Sequence, residues 1–266
     1  MSDPSVLIER DGGVLTVTIN RPERGNALDS EAVGRLIEVF AAVAGEPGDD
    51  RAVVLRSAGA HFCTGADIGG SGKPGAPRPQ IGHMVRSLAA GPHLLVEMLW
   101  NCPLPVVAEL TGRTSGLGLH LALACDLTVA AETATFAEPF SERGFNVDSG
   151  GSWLLPRLVG LTRAKQMLYT ADVIDAPTAL SWGLITEVVA DDDVVARAAQ
   201  VARSMSTRST FAISTIKQLV HRGLDGPLTD ALEREAAAIE LTIRSDDFKE
   251  GMRAFAERRP PEFTGH

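Results

Sequence analysis

Two stretches of the sequence share one plan: an apolar run, a glycine turn, then the start of a helix. The first is Val53-Val54-Leu55 followed by His61-Phe62-Cys63-Thr64-Gly65-Ala66-Asp67-Ile68; the second is Val106 to Leu110 followed by Thr111-Gly112-Arg113-Thr114-Ser115-Gly116-Leu117-Gly118. The first turn of a helix holds N–H groups without intrahelical acceptors, at the positive end of the helix dipole. Two such starts that converge provide a pair of donors for a carbonyl oxygen gaining negative charge. Side chains that could move a proton beside that oxygen follow: His120, one helical turn beyond Leu117, and Glu142 and Asp148, on either side of Gly144. Each also has a plainer role open to it. His120 would serve as a core histidine, Glu142 as a surface partner of Arg143, and Asp148 as the cap of a helix starting near Ser149-Gly150-Gly151. A carboxyl held among apolar side chains such as Phe140 and Trp153 would keep its proton into the range useful for transfer. Glu109, inside an apolar run, needs a partner, and Arg113 is the nearest cation in sequence.

The elements that must position these groups alternate in type. Val14 to Ile19 has the period-two pattern of a strand closed by Arg21-Pro22, and a helix capped by Asp29 or Ser30 follows with Ala32, Val33, Leu36, Ile37, Phe40 and Val43 on one face. Ala52 to Leu55, Val106 to Leu110 and Leu127 to Ala131 are short apolar strands of the kind covered on both faces of a parallel sheet. Strands alternating with helices predict an α/β fold. From Val194 the pattern is helical, with segments near 194–205, 208–221, 227–243 and 246–258, which divides the chain into a core over 1–193 and a helical region over 194–266. Gly69 to Pro79, rich in glycine and proline, reads as a mobile surface loop that could cover a site.

Composition narrows the function classes. With 266 residues, 44% of them hydrophobic, the chain can bury a large core. A net charge of −9 argues against a nucleic-acid partner. The cysteines, Cys63, Cys102 and Cys125, are odd in number, with no CxxC pair and no histidine partner at ligand spacing, so they predict reduced, buried thiols and no metal. The start of the chain lacks a signal-peptide pattern and no apolar run approaches the roughly 18 residues of a membrane span, which predicts a cytoplasmic protein away from membranes. Gly116-x-Gly118 also fits the opening of a dinucleotide-binding turn, but Leu121 occupies the third glycine position.

Four runs, in order, resemble the crotonase (enoyl-CoA hydratase/isomerase) superfamily. They are Asn20-Arg21-Pro22-Glu23-Arg24-Gly25-Asn26-Ala27-Leu28, the Phe62-Cys63-x-Gly65-Ala66-Asp67-Ile68 run, the Gly116-x-Gly118 helix ending Ala124-Cys125-Asp126, and the tail from Asp247 to Phe255. The resemblance implies a spiral of ββα units with a C-terminal helical subdomain, assembled as trimers or hexamers. It implies an acyl-CoA thioester substrate, no separate cofactor, and thioester polarisation by the backbone N–H groups of Ala66 and Leu117. It sets Arg24 and Ala27 near the coenzyme A adenine and phosphates, with Phe255 and Arg258 from the C-terminal helices, and Asp67, Ile68, Gly116, Phe140 and Trp153 near the substrate. The two glutamates of family hydratases fall on His120 and Phe140, and Phe140 cannot carry a proton. Asp148 matches the place where dienoyl-CoA isomerases and 4-chlorobenzoyl-CoA dehalogenases of the superfamily carry a functional aspartate. Isomerase-like proton transfer by Asp148, with Glu142 or His120 as partner, is therefore the preferred expectation. Hydration by non-standard residues, or acyl-CoA binding without turnover, are the alternatives.

Overall fold

The computed structural model describes residues 3–68 and 80–265, so the glycine-rich stretch 69–79 lies outside the described residues. The chain opens with an antiparallel pair, β1 (Val6–Asp11) and β2 (Val14–Ile19), followed by α1 (Ser30–Gly45) and β3 (Ala52–Ser57). Asp29 caps α1 by accepting from the Ala32 N–H, and Ala32, Val33, Leu36, Phe40 and Val43 form its buried face. Next come α2 (His83–Ala90), α3 (Pro92–Trp100), β4 (Val106–Leu110), β5 (Arg113–Ser115), α4 (Leu117–Ala124), β6 (Leu127–Ala131) and β7 (Thr135–Ala137). After them come α5 (Gly151–Thr170), β8 (Ile174–Asp175), α6 (Ala176–Trp182), β9 (Glu187–Val189), α7 (Val194–Ser206), α8 (Thr210–Gly223), α9 (Leu228–Thr242) and α10 (Asp246–Glu257).

The large sheet has the order β1-β2-β3-β4-β6-β9 and is parallel from β2 onward, with Val53 opposite Val106, Val107 opposite Leu127, and Val129 opposite Glu187. A small sheet, β5-β7-β8, lies beside it, extended by a bridge from Cys63 to Thr114. β4 and β6 each run from the large sheet into a strand of the small one and then into a helix, which is the spiral of ββα units expected. All five residues of β4 are buried, as the apolar pattern requires of a strand covered on both faces. α7 packs across β2, β3, β4 and β6 through Val194, Ala198 and Ala202, joining the C-terminal helices to the core. α8 is fastened by Lys217, whose Nζ donates to Asp126 at 2.8 Å, and by His221 stacked on Trp100. Among the described residues no helix is long and apolar enough to cross a membrane.

Candidate active site

Leu28 forms an isolated parallel bridge opposite Ala66. Its N–H donates to the Gly65 carbonyl at 2.9 Å and its carbonyl accepts from the Asp67 N–H at 2.8 Å. Pairing through the two flanking residues turns the N–H of Ala66 itself to the opposite side. Gly116 closes β5 with φ 51° and ψ −123°, a conformation open to glycine and strained for other residues. It sets Leu117 at the first position of α4, where the N–H has no intrahelical acceptor. Neither N–H has a hydrogen-bond partner among the described residues, and both residues line one cavity of about 410 Å³.

The remaining walls of that cavity are apolar over most of their extent: Ile68, Met84, Leu88, Pro139, Phe140 and Phe145, with the last two rings edge to face at 5.3 Å. Asp148 is the one carboxylate among the described lining residues, with Arg143 and Asn146 near it. It is not a cap. The N-cap of α5 is Gly150, which has no side chain to offer, and Asp148 contributes only its carbonyl, accepting from the Gly151 N–H at 3.0 Å. The carboxylate of Asp148 makes no hydrogen bond to the described residues, so it is available to a ligand.

Several expected site residues lie elsewhere. Glu142 is exposed and does not line the cavity, because the turn from Pro139 to Gly144 points it outward. Trp153 packs edge-on against Trp100 with Arg157 over its ring and does not line the cavity. His120 does not reach the cavity either. It is fully buried behind Phe140, whose ring lies parallel to the imidazole at 5.7 Å, and its Nε2 is 3.0 Å from Oε1 of Glu138. Glu138 is the residue that sequence reasoning missed. Burial pushes its carboxyl above the ordinary carboxylate range, against the pull of His120, and the negative charge of Asp148 adds to the rise. The signal was local: Phe136 points inward in β7, and a period of two carries Glu138 to the same face.

At the edge of the cavity, Asp67 is committed to ion pairs with Arg21 at 3.2 Å and Arg24 at 3.7 Å. Arg24 remains more than half exposed and Ala27 is half-buried beside it. Phe255, 81% exposed, and Arg258, the left-handed C-cap of α10, belong to the C-terminal helices and do not line this cavity. Glu109 does not pair with Arg113: its carboxyl, raised by burial, feels Arg56, carried by the neighbouring strand β3. Cys63 and Cys125 are core residues, and burial pushes the Cys63 thiol up to about 12.

A family model described as enoyl-CoA hydratase/isomerase matches residues 9–266. A Rhodobacter capsulatus protein named "Probable enoyl-CoA hydratase" is 38% identical over 269 residues, covering 100% of both chains. The 1,2-epoxyphenylacetyl-CoA isomerase of Escherichia coli is 36% identical over 262 residues, covering 98% of each. Among solved structures, an enoyl-CoA hydratase of Mycobacterium smegmatis superposes with a TM-score of 0.91 at 29% identity, covering 98% of this chain and 99% of that one.

Proposed function

Because the chain belongs to the enoyl-CoA hydratase/isomerase family, we propose that it is an acyl-CoA isomerase in which Asp148 moves a proton between carbons of a thioester enolate. The thioester oxygen would accept from the N–H groups of Ala66 and Leu117. Asp148 would take a proton from the carbon chain as the C–H electron pair moves toward that oxygen, then return it to a second carbon as the pair flows back. One carboxylate suffices for this cycle, because it ends in the form in which it began. The observation that carries the reading is the cavity wall: Asp148 is its one carboxylate among the described residues, and Phe140, which the resemblance sets at the place of the second hydratase glutamate, lines the same wall with no proton to give. The isomerase name of the Escherichia coli relative supports it. Hydration is the second reading, favoured by the name of the Rhodobacter relative, and would need Asp148 to activate water. Arg24, exposed beside the cavity, suits the coenzyme A phosphates.

The test offers β,γ-enoyl and α,β-enoyl thioesters to wild type, Asp148→Asn and Asp148→Ala. Since the carboxylate has no partner among the described residues, Asp148→Asn should leave stability within about 0.5 kcal/mol of wild type. Its turnover should fall on the order of a hundredfold to ten-thousandfold. Full turnover in Asp148→Asn refutes the assignment, and a 3-hydroxyacyl product from wild type selects hydration.

The large apolar side chains left exposed on the C-terminal helices, Leu228 at 74% and Phe255 at 81% among them, support assembly into trimers or hexamers. Phe255 and Arg258 would then approach the coenzyme A of a neighbouring subunit.

A further inference from the structure

The pair formed by His120 and Glu138 is the polar feature of the interior that the proposed proton cycle leaves unused. Both side chains are wholly buried, joined only through Nε2 and Oε1, while His120 Nδ1 and Glu138 Oε2 have no partner among the described residues. Phe140 covers one face of the imidazole, and the start of α5 lies against its edge: a Cβ at Gly151 would stand 2.2 Å from Nε2. Only glycine permits that approach. The contact ties the pair to the Val147–Gly151 segment that carries Asp148, since Val147 meets the same point at 2.7 Å.

Three proton arrangements can be weighed by their unpartnered atoms. An ion pair leaves a charged carboxylate oxygen and an imidazolium N–H both without acceptor or donor, in a site without water contact. Ionised Glu138 beside neutral His120 leaves a net buried negative charge near that of Asp148. Protonated Glu138 donating to Nε2 of neutral His120 leaves only neutral groups unpartnered, and it has the lowest burial cost. α4 carries no ionisable residue besides His120, α5 none before Arg157, and Glu142 and Arg143 of the connecting segment are exposed. Among the described residues, the ionisable groups on the other elements packed against α4, His93 and Glu97 of α3 and Arg113 of β5, are exposed.

Building on the assignment of Asp148 as the base, we propose that Glu138 is a positioning residue that keeps its proton through turnover, donating it to His120, so that the site carries the single negative charge of Asp148. When Asp148 accepts the substrate proton, that charge passes to the thioester oxygen, and a neutral Glu138 does not oppose it. Loss of the Glu138 proton at high pH sets a second negative charge beside the forming enolate, and the rate falls.

The experiment follows exchange of the α-protons of phenylacetyl-CoA for deuterium across pH, with Glu138→Gln, a neutral isostere, beside wild type. Wild type should lose rate by about tenfold per pH unit on the alkaline side as Glu138, raised above the ordinary carboxylate range by burial, gives up its proton. Glu138→Gln should keep its neutral-pH rate within a few-fold and lose that alkaline limb. A retained limb in the variant overturns the proposal. In parallel, the imidazole nitrogens of His120 in the wild-type protein, read by NMR at neutral pH, should report a neutral ring with Nε2 accepting. An imidazolium, or a ring protonated at Nε2, overturns it whether or not the variant folds or the thioester is turned over. Loss of exchange in Asp148→Asn with the His120 result intact upholds the pair and the base together. Full exchange in Asp148→Asn removes the base assignment, on which the role of Glu138 rests, while the NMR result still decides its protonation.

Discussion

Gly116→Ala isolates the contribution of backbone geometry to the donor pair proposed to bind the thioester oxygen. An alanine Cβ there would meet only the Phe140 ring, at 3.8 and 4.0 Å, which is ordinary contact, so crowding is not the cost. The cost is conformational: φ 51° with ψ −123° is strained for any residue with a Cβ, worth on the order of 1–3 kcal/mol. Relief of that strain rotates the peptide that carries the Leu117 N–H, while the hydrogen bonds from the Gly116 N–H to Ala137 and from the His120 N–H to the Gly116 carbonyl resist the rotation. A donor turned away from a forming oxyanion costs on the order of a hundredfold to a thousandfold in turnover. Melting temperature and steady-state turnover on the same preparation measure both effects, with about 2–4 °C expected per kcal/mol for a chain of this size. Leu117→Ala is the contrasting variant. It keeps the N–H and removes a side chain that is 4% exposed, so it should lose about 2–5 kcal/mol of stability with turnover changed only a few-fold. Wild-type turnover in Gly116→Ala together with a large loss in Leu117→Ala would show that the side chain matters and the backbone donor does not.

Two further outcomes test the C-terminal region. Hydrogen bonds from Arg259, then from the Glu262 N–H, hold the Glu250 carboxyl at about 2 instead of 4.5; the stabilisation is present above 4.5 and is lost as pH falls from there through about 2. Carbon-13 titration of Glu250 reads this directly, with a midpoint near 4.5 contradicting it, and Glu250→Gln should flatten that part of the acid dependence of melting. Light scattering across a dilution series should return the mass of a trimer or hexamer, and a monomer mass would remove Phe255 and Arg258 from the proposed coenzyme A site.

What the sequence determined by itself is what short-range pattern encodes. The apolar runs of β3, β4 and β6 and the capped, amphipathic α1 are set by side-chain periodicity within a few residues. The four helices after Val194 were legible for the same reason, and the ordered runs from Asn20 to Phe255 were enough to identify the family. Only the tertiary structure decided which ionisable groups meet. Asp148 faces the cavity and Glu142, six residues away, faces outward, because the turn from Pro139 to Gly144 reverses the chain between them. Glu109 feels Arg56 across a strand pair and not Arg113 along the chain, since sheet register, not sequence distance, sets which side chains are neighbours. His120 and Glu138 come from different elements and meet where α4, the end of β7 and the glycine start of α5 converge. The raised proton affinity of Glu138 depends on the water excluded by all three, a property that no single stretch of the sequence contains.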